Sequence, residues 1–294
     1  FLTIQEGCDK FCKFCVVPYT RGPEYSRSYR EIISEAKQLV DNGSQEIILL
    51  GQNVNAYNFK NKRLSDLLYS LSEIKNLERI RYTTSHPKDF TDDLIEAHGE
   101  CKKLMPLLHL PVQSGSTKIL ENMNRGHTID AYLKIIEKLK EKKPSIKFSS
   151  DFIIAYPNET KDDFEKTISL MKQVKFINSY SFIFSARPGT PSANLKEIET
   201  KIAKERLTIF QEVADEVKKK YRKELVNSIS NVLFENNVKG SNKYFGRDEY
   251  FNSVIVNSNE NLIGKIRKVK IEKCNQNTLF GDVILENKPK EYAA

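Results

Sequence analysis

Phe1-Leu2-Thr3-Ile4-Gln5-Glu6-Gly7-Cys8-Asp9-Lys10-Phe11-Cys12-Lys13-Phe14-Cys15 opens the chain. The apolar run at Leu2-Thr3-Ile4 has the length of a strand buried on both faces. Three of the chain's five cysteines follow, spaced Cys8-x3-Cys12-x2-Cys15, in the loop directly after that strand. Three thiolates on one short loop can converge on a soft metal centre. Structural zinc normally takes four protein ligands, and no fourth Cys or His lies nearby in sequence. An iron–sulfur cluster with three ligands would leave one iron open to a substrate or cofactor. A thioredoxin-like redox pair at Cys12-x2-Cys15 is a third reading. It would leave Cys8 idle, and it usually opens a helix rather than a loop containing Pro18, Gly22 and Pro23.

Working outward, similar short apolar runs recur at Ile47-Ile48-Leu49-Leu50, Ile80-Arg81-Tyr82, Leu107-Leu108-His109-Leu110, Phe152-Ile153-Ile154 and Tyr180-Ser181-Phe182-Ile183-Phe184. Segments with helical spacing lie between them. Ile32, Ala36, Leu39 and Val40 form one stripe, Leu133, Ile136 and Leu139 a second, and Phe164, Ile168, Met171 and Val174 a third. Alternating strands and helices imply an α/β fold with a parallel sheet and right-handed crossovers. Six strands in this rhythm suit a partial (βα)6 TIM-like barrel better than a closed eight-stranded one. Either places its chemistry in the loops after strand C-termini, where the cysteines lie.

Glu197 to Leu225 reads as one long helix with apolar positions at Ile202, Leu207, Phe210, Val213, Val217, Tyr221 and Leu225. Its basic end, Lys218-Lys219-Lys220-Tyr221-Arg222-Lys223, is either a solvated face that complements the helix dipole or a contact for RNA phosphates. Beyond about Val226 the texture changes. Ile229 to Glu235, Val254 to Val256, Ile266 to Lys273 and Leu279 to Leu285 read as short antiparallel strands. Gly240-Ser241-Asn242, Asn257-Ser258-Asn259 and Asn275-Gln276-Asn277 separate them, so a small antiparallel β-barrel is expected. The expected domains are residues 1–225, with the long helix, and 226–294.

Hydrophobic residues make up 39% of the 294 and charged residues 29%, which supports a buried core and excludes a wholly disordered chain. Lys plus Arg outnumber Asp plus Glu by 47 to 39, a net charge of +8 that favours an acidic partner such as nucleic acid. A Lys-, Asn- and Ile-rich composition from an AT-biased genome would give the same balance. Clustered cysteines in odd number argue against an extracellular disulfide framework and for a reduced, cytoplasmic protein. No apolar run is long enough to span a membrane. The chain opens on Phe1, inside an apolar stretch and without an initiator Met, and so reads as a fragment or processed piece.

Cys8-x3-Cys12-x-Phe14-Cys15 after a first barrel strand resembles the signature of radical S-adenosylmethionine (radical SAM) enzymes. Cys15-Val16-Val17-Pro18-Tyr19-Thr20-Arg21-Gly22 is similar to their methylthiotransferase branch. So are Leu49-Leu50-Gly51-Gln52-Asn53-Val54-Asn55-Ala56-Tyr57, His109-Leu110-Pro111-Val112-Gln113-Ser114-Gly115-Ser116 and Ser185-Ala186-Arg187-Pro188-Gly189-Thr190-Pro191. Thr83-Thr84-Ser85-His86-Pro87 and Tyr180-Ser181-Phe182-Ile183-Phe184 resemble the MiaB type, the tRNA-2-methylthio-N6-dimethylallyladenosine synthases. The C-terminal barrel is similar to the TRAM domain, an RNA-binding module. The resemblance implies a partial six-stranded barrel and transfer of a methylthio group to C2 of an isopentenylated adenosine beside the anticodon of tRNA. Close alternatives are threonylcarbamoyl-adenosine in tRNA and a ribosomal-protein aspartate. A non-catalytic RNA-binding protein with a structural metal cluster is the alternative from another class.

The resemblance also implies cofactors and roles. Cys8, Cys12 and Cys15 would hold a 4Fe-4S cluster whose open iron chelates SAM, releasing a 5′-deoxyadenosyl radical on reduction by a donor such as flavodoxin or ferredoxin. Phe14 would lie near the adenine, and Gly51, Gln52 and Asn53 near the SAM amino group, although a plain turn after a strand also favours Gly and Asn. Gln113, Ser114, Ser150 and Asp151 could hold the ribose and methionine parts. Arg187 could pair with the SAM carboxylate or a tRNA phosphate, with a structural salt bridge as the alternative. Lys265, Arg267, Lys268 and Lys270, along one strand, are the expected RNA contacts. His109 reads as a core residue, His86 as a loop cap or cavity residue, and Cys101 and Cys274 as structural. Ala155 and Asn158 stand where relatives usually carry Gly. The family's second, auxiliary cluster is expected only in the full-length protein, so this chain, a monomer, should bind SAM and tRNA and cleave SAM without inserting sulfur.

Overall fold

Six parallel strands follow one another across the first part of the chain. They are β1 (Leu2–Thr3), β2 (Glu46–Leu50), β3 (Arg79–Tyr82), β4 (Leu107–His109), β5 (Lys147–Ile154) and β6 (Asn178–Ile183). In this computed structural model, which describes residues 1–239 and 241–284, β1, β2 and β3 pair in parallel, and so do β4, β5 and β6. A parallel bridge between Ile80 and Leu104 joins the two halves, with Ile80 N donating to Lys103 O at 2.8 Å and Met105 N to Ile80 O at 3.0 Å. The spatial order therefore repeats the sequence order, as a partial barrel requires.

Helices alternate with the strands: α1 (Tyr29–Asp41), α2 (Leu64–Ser72), α3 (Asp92–Glu100), α4 (Thr117–Asn122), α5 (Ile129–Lys142), α6 (Lys161–Val174) and α7 (Thr200–Glu224). The expected stripes are the faces they bury. Ile32, Ala36 and Val40 lie in the core from α1, Ile136 and Leu139 from α5, and Phe164, Met171 and Val174 from α6. Leu64, Leu67, Leu68 and Leu71 of α2 join the same core. Thr160 starts α6 with a capping box, in which its hydroxyl accepts from Asp163 N and the Asp163 carboxylate accepts from Thr160 N.

Strand alternation then divides the barrel into two faces. Ile47, Leu49, Ile80, Leu108, Phe148, Phe152 and Ile154 enter the helix-covered core. Their alternates Glu46, Arg79, Arg81, His109, Ser149 and Asp151 share the opposite, inner side by register. His109, read from sequence as a core residue, is half-buried there. Its Nδ1 lies 2.9 Å from Ser149 Oγ and its Nε2 3.5 Å from Asp151 Oδ1. A central strand carries both apolar and polar side chains, and register alone decides which face each takes.

The chain divides into two compact units, Phe1–Lys218 and Lys219–Ala294. The second is a closed barrel of β7 (Ile229–Asn237), β8 (Lys243–Arg247), β9 (Ser253–Asn257), β10 (Ile266–Cys274) and β11 (Thr278–Val283), in the order β7-β8-β9-β11-β10. Val232, Phe234, Val254, Val256, Val269, Ile271 and Leu279 fill it. The expected barrel is present, with two corrections. Strand β8 was not anticipated, because Lys243-Tyr244-Phe245-Gly246-Arg247 mixes charge and Gly with its aromatics. β9 and β11 pair in parallel, so the barrel is mixed rather than wholly antiparallel. Closure forces that pairing, since β10 lies between them in sequence but beside β7 in space. Gly240, and Leu285 at the end of the last expected strand, lie outside the described residues.

Candidate metal centre and its surroundings

The cysteine loop leaves β1 at the C-terminal end of the parallel sheet. Gln5 sets its base: its amide Nε2 donates to Gly7 O at 2.7 Å, and its Oε1 accepts from Asn53 N at 2.9 Å. Gln52 Oε1 accepts from Gly7 N at 2.8 Å. The turns after β1 and β2 are thus tied together, and Gly51 permits the approach. A Cβ at Gly51 would stand 2.7 Å from Gln5 Oε1 and 2.8 Å from Gln5 O. Lys10 forms an ion pair with Asp89 at 2.8 Å, and Asn53 Nδ2 donates to the same carboxylate at 2.7 Å and to Glu24 at 3.1 Å. On its far side, Lys13 N donates to Met123 O at 2.9 Å, Ser192 N to Lys13 O at 3.0 Å, and Asn124 Nδ2 to Phe11 O at 3.1 Å.

All three thiols are free; Cys12 is buried, and Cys8 and Cys15 are half-buried. Burial, opposed by the Lys10 backbone N–H and reinforced by Glu24 and the other two thiols, pushes Cys8 up to about 11. Burial also raises Cys15, with Cys12 adding to it. Cys8 and Cys15 are thus held as thiols near neutral pH, so binding a cationic centre there would release protons. Arg125 Nη1 donates to Cys12 Sγ at 3.5 Å, and its Nη2 donates to Pro111 O at 2.6 Å.

The other predicted residues fall into two groups around this loop. Phe14 packs with Ile153 and Ala186 against a small core of Ile119, Met123, Tyr156 and Phe184. Gln113 holds a left-handed turn at φ 77° just beyond β4, while Asp151 is half-buried on the inner face. Arg187 is exposed after β6. By contrast, Gln113 is buried, and Asn53, Ser114 and Ser150 are almost wholly enclosed. Ser150 Oγ accepts from Val112 N at 3.0 Å and donates to Leu110 O at 3.1 Å, bracing β4 to β5 where Pro111 interrupts the ladder. His86 Nδ1 accepts from Lys88 N at 3.1 Å, the capping bond, and its Nε2 is buried without a partner. Ala155 sits at φ 58° and Asn158 at φ 66°, which explains why Gly suits both positions. Cys101 lies in the main core, and Cys274 packs against the barrel core of the second unit.

In that barrel Lys265 pairs with Glu260 at 2.6 Å and Arg267 lies 3.6 Å from the same carboxylate. Lys268 and Lys270 are exposed on the outer face of β10, with Asp282 opposite Lys270 in register. The four basic side chains therefore divide into a pair beside Glu260 at one end and a pair facing outward.

The family model described as "Radical SAM superfamily" matches residues 2–171, which run from β1 and the cysteine loop into α6. The chain belongs to the radical SAM superfamily. The model described as "TRAM domain" matches residues 223–284. A protein of Pelagibacter ubique (strain HTCC1062) named tRNA-2-methylthio-N(6)-dimethylallyladenosine synthase is 60% identical over 99% of this chain and 66% of its own length. A protein of that name from Rickettsia felis (strain ATCC VR-1525 / URRWXCal2) is 51% identical over 97% of this chain and 65% of its own length. The chain thus spans a little under two thirds of these curated relatives. Among solved structures, the radical S-adenosylmethionine methyltransferase TsrM from Kitasatospora setae, with cobalamin and a 4Fe-4S cluster bound, superposes with a TM-score of 0.55 at 14% identity. It covers 65% of this chain and 35% of its own, and at that identity the likeness is one of fold.

An iron–sulfur cluster and SAM are the cofactors of the radical SAM superfamily, and the donor set here suits them: three free thiols of soft character on one braced loop. Among the described residues no three His, Cys, Asp or Glu side chains form a single-ion site. Sequence reasoning passed over Arg125, Asp89 and Glu24 beside this radical SAM loop. Their one-dimensional signals are a turn and ordinary charges, and only the fold brings them to this loop.

Proposed function

We propose that this chain is the radical SAM and TRAM portion of a tRNA methylthiotransferase acting at C2 of N6-isopentenyladenosine beside the anticodon. The observation that carries this reading is the braced Cys8, Cys12 and Cys15 loop at the mouth of a six-strand parallel barrel, in a chain 60% identical along nearly its whole length to a synthase of that name. The C2–H bond of adenine is unactivated, so proton transfer cannot open the position. The cluster and SAM, when bound, supply one-electron chemistry able to break such a bond.

The chain's own residues then hold, orient and exclude. Cys8, Cys12 and Cys15 hold the cluster. Phe14, with Tyr156 and Phe184 behind it, offers an apolar wall for the adenine. Gly51, Gln52 and Asn53 keep the turn after β2 close to the loop, and Ser114 and Ser150 keep the sheet edge in place. Gln113, Asp151 and Arg187 are further polar groups that would meet SAM, with the Arg187 guanidinium pairing either with the SAM carboxylate or with a tRNA phosphate. Residues 1–225 form the catalytic part. Residues 226–294 form the RNA-binding part, in which Lys268 and Lys270, with Lys265 and Arg267, meet phosphates. The methylthiotransferase would use a second, auxiliary cluster besides the one these cysteines hold. It acts as a cytoplasmic monomer with flavodoxin or ferredoxin as electron donor.

Anaerobic reconstitution with iron and sulfide, followed by SAM and dithionite, tests the reading through 5′-deoxyadenosine measured by mass spectrometry. Roughly four irons per chain, with product lost in Cys12→Ala, is the expected result. No product, with one tightly held zinc instead, would leave an RNA-binding module with a structural metal. Mass spectrometry of tRNA from a deletion strain then separates the substrates: loss of 2-methylthio-isopentenyladenosine supports this assignment, and loss of the threonylcarbamoyl analogue supports the nearest rival.

A further inference from the structure

We infer that Arg125 is a positioning residue for the Cys12 thiolate, and that its guanidinium raises the electron affinity of the cluster Cys12 would ligate. The inference rests on the proposed cluster reading. Arg125 follows α4 and is 6% exposed, so its charge is largely removed from water. Its fork is fixed at one end, where Nη2 donates to Pro111 O at 2.6 Å, and aimed at the other, where Nη1 donates to Cys12 Sγ at 3.5 Å. Its Nε is buried without a hydrogen-bond partner. Among the described residues no carboxylate pairs with Arg125. A buried guanidinium that lacks an anion is costly, and of the two acceptors it meets, Pro111 O and Cys12 Sγ, the sulfur can carry negative charge.

The surroundings keep that assignment specific. The two imidazoles nearby, His86 and His127, meet edge to face at 5.9 Å, and His127 Nδ1 lies 3.2 Å from Arg125 O. Burial and the Arg125 charge lower His127 to about 4, so it is neutral near pH 7 and adds no second cation. The other charged pair at the loop, Lys10 with Asp89, is already matched. Arg125 is therefore a fixed positive charge in contact with a cluster ligand and, among the described residues, without a carboxylate of its own. A cluster that accepts one electron from an external one-electron donor gains one negative charge, and a fixed cation with an N–H···S bond favours the more negative state.

The test is an anaerobic redox titration of the reconstituted chain, followed by electron paramagnetic resonance, with iron content and circular dichroism measured alongside. Arg125→Met is expected to bind iron like the wild type and yet hold about tenfold less reduced cluster at a fixed potential, a shift of about 59 mV for one electron. Arg125→Lys, which keeps the charge, should lie closer to the wild type, a partial rescue that a purely structural role would not produce. Normal iron with an unshifted potential in Arg125→Met overturns the proposal alone. If Arg125→Met fails to fold, Arg125→Lys and Arg125→Gln decide it: equal potentials in those two overturn it, and a lower potential in Gln supports it. A wild-type chain that takes up no iron overturns the cluster reading and this inference with it.

Discussion

His98 offers a test of burial that needs no cofactor. It lies in α3, 1% exposed, with its Nε2 2.6 Å from the Tyr82 hydroxyl and its ring stacked on Phe90 at 6.1 Å. Burial first, and the charge of Lys143 second, lower it from 6.5 to about 3. The folded chain therefore binds fewer protons here than the unfolded chain whenever the pH lies between those values. By linkage this stability is complete above pH 6.5 and is lost as pH falls towards 3. At about 1.4 kcal/mol per pH unit below the unfolded value, the loss between pH 7.5 and pH 5 is about 2 kcal/mol. His98→Gln keeps a polar side chain of similar reach and cannot titrate.

Urea unfolding of the wild type and His98→Gln, followed by circular dichroism at a series of pH values, reads the effect. The mutant should be less stable at pH 7.5, because it loses the fitted ring. Its stability should then decline by about 2 kcal/mol less than the wild type's on going to pH 5. Burial lowers His86 and His127 as well, so they too take up protons over this range only in the unfolded chain, and being common to both chains they cancel in the difference. Parallel declines would refute the reasoning, and would mean that His98 is charged in the folded state or reached by water.

Ala155→Gly should stabilise the first unit by about 1 kcal/mol, because Ala155 sits at φ 58°, where its Cβ is strained and Gly is not. Unchanged or lower stability in urea would show that the buried methyl packs for more than its backbone costs. In the barrel, Lys268→Gln with Lys270→Gln should weaken tRNA binding and reduce the slope of log affinity against log salt by about one per lysine. An unchanged slope in filter binding would take the outer face of β10 out of the RNA interface.

Much of this arrangement could be read along the chain because it depends on near neighbours. A cysteine at every third or fourth position after a short apolar run is a property of one loop. The stripes of α1, α5 and α6 are properties of single helices, and alternating apolar runs specify a parallel sheet without knowledge of any contact. The second unit was legible by the same logic, through short strands punctuated by Asn, Gly and Ser. Strand β8 escaped because Lys243 and Arg247 enclose its aromatics, and charge at both ends obscures a two-residue period.

Tertiary structure alone decided what each side chain is free to do. Ser150 and Asp151 are adjacent in sequence, yet the pleat sends the serine into the sheet contacts and the aspartate to the inner face beside His109. Asn53, expected near the SAM amino group, is held by hydrogen bonds to Glu24, Asp89 and Gln5, which no sequence spacing discloses. Arg125, within Asn124-Arg125-Gly126-His127, carried only the mark of a turn, and the fold brings it 113 residues back along the chain to Cys12. The parallel pairing of β9 with β11 likewise follows from closure and not from either strand. Composition and spacing record which groups are present and how far apart they lie along the backbone. Burial, register and long-range hydrogen bonds arise only when distant segments share space, and those are what separate a brace from a ligand.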